Sequence, residues 1–161
     1  MAPRTVHHLD FETLVDINRE VVALTGEAHE YSPADGRKLA ELVEEVKKRA
    51  DNQGPDEAIP EKAALLVFKL ASGQYFHAGN KRSALVVGLV FLRKNGYDMD
   101  INSAELASTV DRAGIAAATL DDLYEVVGRL AVKSKAERRS WEKVVADVVK
   151  SHGELLTKLA S

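Results

Sequence analysis

The chain has 161 residues, 45% apolar and 29% charged, a composition that excludes intrinsic disorder and leaves room for one domain with a real core. There is no cysteine, which rules out a disulfide framework or a thiolate zinc site and points to a reducing compartment. With a formal charge of −3 and a pI near 6.0, the domain-wide basic footprint of a nucleic-acid binder is missing, so nucleic acid is not the expected ligand.

The first ten residues carry charge and two histidines where a signal peptide would need an apolar run, and no stretch approaches the length of a membrane span. The expectation is a cytoplasmic protein with no membrane contact.

Periodicity predicts an all-α fold. Phe11, Leu14, Val15, Val21 and Val22 share one side of a helix from about Asp10 to Thr25-Gly26. Leu39, Leu42, Val43 and Val46 repeat the pattern in a second, surface helix, with Glu44–Lys48 and Glu45–Arg49 as i, i+4 pairs on its wet face. Asp51 to Pro60 reads DNQGPDEAIP, a loop by its glycine and two prolines, and the third helix is expected to start at Pro60 or Glu61. AALLVFKLA from Ala63 and SALVVGLVFL from Ser83 are apolar nearly all round, so these two helices should be the buried centre of a compact bundle. Between them SGQYFHAGNKR makes a short polar connection, in which Gly73 can close one helix and Asn80 can cap the next.

Beyond Asn95-Gly96 come two shorter helices, Ser103 to about Arg112 and Leu120 to Val132. The domain is expected to occupy 1–133. The tail, 134–161, opens on Ser134-Lys-Ala-Glu137, which fits a capping box, and has Trp141, Val145, Val148, His152, Leu155 and Leu159 at heptad spacing. A continuous helix to about residue 160 would be roughly 40 Å long at 1.5 Å per residue, packed on the domain or on the same helix of a second chain in a homodimer. Nothing of length alternates with period two, so strands are limited to a minor hairpin. Six basic residues between Arg129 and Lys143 form a strip, read either as a solvated face or as a docking site for an acidic partner or a nucleic acid.

The connection carries the chemistry. Asn80, Lys81 and Arg82 open a helix whose first N–H groups lack intrahelical partners, Gly79 lets a ligand approach the backbone, and the two cations suit phosphate. Taken alone, G-N-K-R also describes a capped helix with two ordinary surface charges. No two histidines have the i, i+4 spacing of a helical metal site, and no metal ligand is assigned.

From Ile59 to Met99 the sequence IPEKAALLVFKLASGQYFHAGNKRSALVVGLVFLRKNGYDM resembles the core of Doc-type proteins of the Fic/Doc family, whose loop runs His-x-Phe-x-Asp-Gly/Ala-Asn-Lys-Arg. FETLVDINREVVALTGEAH is similar to that family's first helix and turn, and the likeness reaches about Ala131. The resemblance implies a helical domain, a nucleotide such as ATP as co-substrate, Mg²⁺ held by the motif's acidic residue, transfer to a protein hydroxyl by a kinase or adenylyltransferase, and a toxin role with an antitoxin-like partner. Residue by residue, Gln74 stands at the motif histidine, Tyr75 at the usual proline, Phe76 at the phenylalanine and Ala78 at the acidic position, while Gly79, Asn80, Lys81 and Arg82 keep the phosphate grip.

Glutamine cannot take a proton near neutral pH, and loss of a general base costs about 10²- to 10⁴-fold. Loss of the carboxylate argues against Mg²⁺. Two rescues are conceivable, hydrogen-bond positioning by Gln74 or a base at His77. The family's self-inhibitory Ser/Thr-x-x-x-Glu motif is absent, so inhibition is expected from a partner. The leading expectation is a catalytically degenerate binding or regulatory module. The alternatives are a toxin-type transferase with a nonstandard base and a structural oligomer built through the tail.

Overall fold

The computed structural model describes residues 5–99 and 103–159. Its elements in order are α1 (Phe11–Ala23), α2 (Pro33–Lys48), α3 (Pro55–Ser72), α4 (Asn80–Lys94), β1 (Tyr97–Asp98), α5 (Ser103–Gly114), α6 (Leu120–Leu130), β2 (Val132–Lys133), α7 (Trp141–Ser151) and α8 (Gly153–Lys158). The fold is all-α, as the periodicity predicts.

Local chemistry sets most boundaries. Asp10 caps α1 by accepting from the Thr13 N–H at 2.8 Å, and Ser32 caps α2 with Pro33 at the first helical position. Thr119 and Asp122 form a reciprocal capping box on α6. The third helix starts earlier than expected, at Pro55 behind Gly54. Pro60 is accommodated in its second turn, where it forfeits one ladder bond near an end that is short of partners anyway. On α2 the expected i, i+4 pairs are replaced: Glu44 meets Lys47, and Arg49 leaves the helix to reach Glu61 and the Tyr124 hydroxyl.

Helix α4 is the axis of the molecule. All its residues except Arg93 are buried, because α3 and α7 cover it and α1 and α5 close the flanks. The closest approach to α3 is at Gly88, where an added Cβ would lie 2.5 Å from Val67 Cγ2. Lys62 of α3 is fully buried and donates from Nζ to the Val46 and Lys47 carbonyls at 2.8 Å each, satisfying the end of α2. The two short strands pair antiparallel, Tyr97 opposite Lys133, so they are not a hairpin but a clasp between distant segments.

The tail departs from expectation in three ways. Ser134 does not begin a helix: its N–H bonds Gly96 O at 2.8 Å, Glu137 N–H bonds Arg93 O at 3.1 Å, and Lys94 Nζ bonds Arg139 O at 2.7 Å. The Glu137 carboxylate turns to Arg139 instead of completing a box. The first two contacts supply donors to carbonyls at and just past the C-terminal end of α4, the third satisfies a carbonyl of the tail, and helix formation waits until Ser140, which caps α7. The helix then breaks at His152, and a separate short α8 follows. The buried face is Val144, Val145, Val148 and Val149 with Leu156 and Leu159, and α7 packs on α4 and α1 of its own chain. Residues 160 and 161 of the expected helix lie outside the described residues, as do Met1–Arg4 at the start.

The basic strip is half consumed internally. Arg129 pairs with Glu105 and Glu125, Lys133 with Asp56, and Arg139 with Glu137 and Asp147, while Lys135, Arg138 and Lys143 are exposed. Among the described residues no helix is long and apolar enough to cross a membrane.

Candidate functional site

The connection between α3 and α4 is held from three sides. Lys38 of α2 donates to Gly73 O at 3.1 Å and lies 4.9 Å from the centre of the buried Tyr75 ring. The His77 N–H bonds Glu30 O at 2.8 Å, tying the loop to the segment after α1. Asn80 does not cap α4. Its Oδ1 accepts from the Phe76 N–H at 3.0 Å and its Nδ2 donates to Phe76 O at 2.9 Å, so it closes the loop on itself, while Gly79 stands at the cap with φ of 76°.

Gln74 is exposed, in the left-handed region at φ of 53°. The His77 side chain is also exposed. It lines a shallow cavity of about 630 Å³ with His29, Tyr31 and Phe76. Ala78 is buried, and its carbonyl accepts from Asn18 Nδ2 at 2.9 Å. The bare side of Gly79 faces α1: an added Cβ would meet Val22 Cγ1 at 2.9 Å and Asn18 Nδ2 at 3.3 Å. The glycine is therefore required for helix packing, where the sequence suggested a ligand's approach.

Lys81 and Arg82 are buried, not surface charges. Lys81 Nζ pairs with Asp111 of α5 at 2.9 Å, its stem crossing Gly114. Arg82, 4% exposed, spends its guanidinium on three partners: Nη2 on Glu27 Oε1 at 2.9 Å, Nη1 on Thr25 Oγ1 at 3.0 Å, and Nε on the Leu159 carbonyl at 3.2 Å. Hydrogen bonds from Thr25 and then Arg82 hold the Glu27 carboxyl below its ordinary range.

Sequence reasoning missed four members of this site: Asn18, Glu27, His29 and Asp111. Asn18 carried a readable signal, since it is a polar residue on the buried stripe of α1. It is completely buried and donates to Ala78 O and, at 3.0 Å, to Ser83 Oγ. That orientation presents its Oδ1 to His29 Nδ1, 2.7 Å away, which makes Nδ1 the protonated nitrogen and leaves the lone pair on Nε2. His29 Nε2 is buried without a partner, and burial, followed by the charge of Arg19, lowers the ring's pKa.

The donor set does not fit a divalent metal. The position of the motif's acidic residue is a buried methyl, and among the described residues no three histidines or carboxylates gather closely enough to hold an ion. Lys81 and Arg82 flank the buried start of α4, and each is paired with a carboxylate, Asp111 and Glu27 respectively.

A model of the Fic/DOC family matches residues 8–92, which span α1 to α4 and the whole connection. That is more than half of the chain, and the protein belongs to the Fic/DOC family. A comparison with curated proteins returned no match.

Proposed function

We propose that the protein is a member of the Doc branch that has given up the family's transfer chemistry and serves as a binding or regulatory module, taking a phosphate-bearing ligand such as a nucleotide at the start of α4. The observation that carries this reading is the contrast within one loop. Gln74 and Ala78 offer neither a proton acceptor nor a metal ligand, whereas Lys81 and Arg82 stay in the first turn of α4, held by Asp111, Glu27 and the Leu159 carbonyl. Carboxylates from Asp111 and Glu27 stand where anionic oxygens of a ligand would bind. An antitoxin-like protein remains a natural partner for such a module, in the cytoplasm.

Calorimetric titration with ATP, ADP and sulfate tests the reading. Binding of at least one should occur and should be lost in Arg82→Lys, which keeps the charge but not the fork. No heat with any of them rejects it. Labelled transfer to protein hydroxyls should be absent from the native chain and should appear in the double variant Gln74→His with Ala78→Asp.

A second reading, a transferase with a nonstandard base, is favoured by one feature: His29 is fixed by Asn18 as a neutral imidazole beside Phe76 and His77. Transfer by the native chain that disappears in His29→Gln would establish it. A structural oligomer built through the tail is less favoured, because the apolar face of α7 is already buried on α4 and α1.

A further inference from the structure

We infer that the groove between α1 and the start of α7 is a docking surface for a short basic helix of a partner protein, one carrying Lys or Arg at four-residue intervals around an apolar side chain. The inference does not depend on the phosphate reading and concerns the other end of the molecule. Trp141 lines the groove and has Lys94 Nζ 5.1 Å from its ring centre, and Lys94 is the last residue of α4. The connection described above joins the first residue of that helix, roughly 20 Å away at 1.5 Å per residue. The two surfaces are therefore separate.

The charge pattern comes from the sequence of α1. Glu12, Asp16 and Glu20 stand at i, i+4 and i+8, so their carboxylates form a row along one face of the helix in steps of about 6 Å. All three are exposed, and all three line a cavity of about 580 Å³. Like charges four residues apart destabilise a helix, so the row works against α1. Only Asp16 has a cation, Arg19 at 2.7 Å, and that pair is more than half exposed, hence weak and easily exchanged. Among the described residues Glu12 and Glu20 have no ion pair, and neither has Glu142 on the facing wall.

A row of carboxylates alone is ordinarily a solvated face. Here the opposite wall is largely apolar: Trp141 is partly buried, Val145 lies one turn further along α7, and Ala146 is exposed at the groove. The position of Lys94 shows that the indole already accepts a cation. A helix laid along the groove sets an apolar side chain against Trp141 and Val145 and its own basic residues, at the same four-residue spacing, opposite Glu12, Asp16 and Glu20. An extended strand repeats its side chains at about 6.6–6.8 Å and drifts out of step with the row. Polyanions are repelled from it.

The test uses the intact chain labelled with ¹⁵N and a capped, alanine-based helical peptide with three lysines four residues apart and a leucine beside the middle one. At low salt the peptide should move the amide signals of Thr13, Asp16, Glu20, Trp141 and Ala146 and leave those of 74–79 in place. Its affinity should fall roughly fivefold in Glu12→Gln with Glu20→Gln, and fall further with added salt. Glu41→Gln with Glu45→Gln removes the same charge from the exposed side of α2 and should change nothing. A peptide of identical composition with its lysines shuffled off that spacing should bind about fivefold more weakly. Equal binding of the shuffled peptide, or equal weakening by the two double variants, would mean attraction to net charge alone and would overturn the docking surface. Spermidine binding as tightly as the peptide would make the groove a polyamine site instead, and absence of any shift along the groove rejects the inference outright.

Discussion

Asn80 bonds both backbone polar atoms of Phe76, accepting from its N–H at 3.0 Å and donating to its carbonyl at 2.9 Å, with all three groups buried. One side chain thus does for the loop what a strand partner would do. Replacing Asn80 with alanine strands a buried donor and a buried acceptor. At about 1–3 kcal/mol for a buried group left unsatisfied, the variant should lose roughly 2 kcal/mol or more, read as a lower urea midpoint with an unchanged slope. A loss below about 0.5 kcal/mol would show that water replaces the amide without cost.

Gly88 and Val67 set the separation of the two central helices, and 2.5 Å leaves no room for a methyl group. Gly88→Ala should cost about 1–3 kcal/mol by overpacking, against a small gain in helix propensity. Val67→Ala in the same chain should return part of that loss, because the clashing Cγ2 is removed. Additive losses in a double-mutant cycle would contradict the packing argument.

His8 and His29 both lie below their ordinary value of 6.5, in each case chiefly because burial strips water from the charged ring. Each Nε2 is buried and unpartnered. The unfolded chain therefore takes up protons that the folded chain refuses. Stability from these groups is complete above pH 6.5 and declines as pH falls through their lowered values. Urea midpoints at pH 7.5 and 5.5 should fall on acidification for the native chain and fall less for His8→Gln with His29→Gln. Equal pH dependence in the two proteins would place the effect elsewhere.

Gln74 is exposed and held at φ of 53°, a conformation that costs a side-chain residue roughly 1–2 kcal/mol. Gln74→Gly relieves that cost but adds freedom to the unfolded chain, so the net change should be a gain of under about 1 kcal/mol. Thermal melts decide it. A marked loss would mean that the Gln74 side chain has a structural duty.

Much of the fold was legible because its signals are local or periodic. Leu39, Leu42, Val43 and Val46 are the buried residues of α2 just as their spacing demands, and the two apolar runs are the central helices. What failed depended on distant partners. Ser134 and Glu137 look like a capping box until the bare carbonyls of Arg93 and Gly96 compete for their N–H groups. Pro60 looks like a helix start until Pro55 provides a better one. In the site, the sequence identified the loop and its cations but not what holds them, since Glu27, Asp111 and Leu159 lie far along the chain from Arg82 and Lys81. The one missed residue with a local signal was Asn18, whose amide interrupts an otherwise apolar stripe.

The clasp between Tyr97–Asp98 and Val132–Lys133 has a topological consequence. The segment through α5 and α6 begins and ends at the clasp and packs on α3 and α4 in between, with Ile115 and the alanines after it exposed at the turn joining the two helices. A break in the backbone there would yield two fragments still stapled by the clasp, with α5 seated on α3 and α4 and α6 seated on α3. The protein is in this respect a natural candidate for splitting in two, and its halves could report on each other's presence by reassembly around α4.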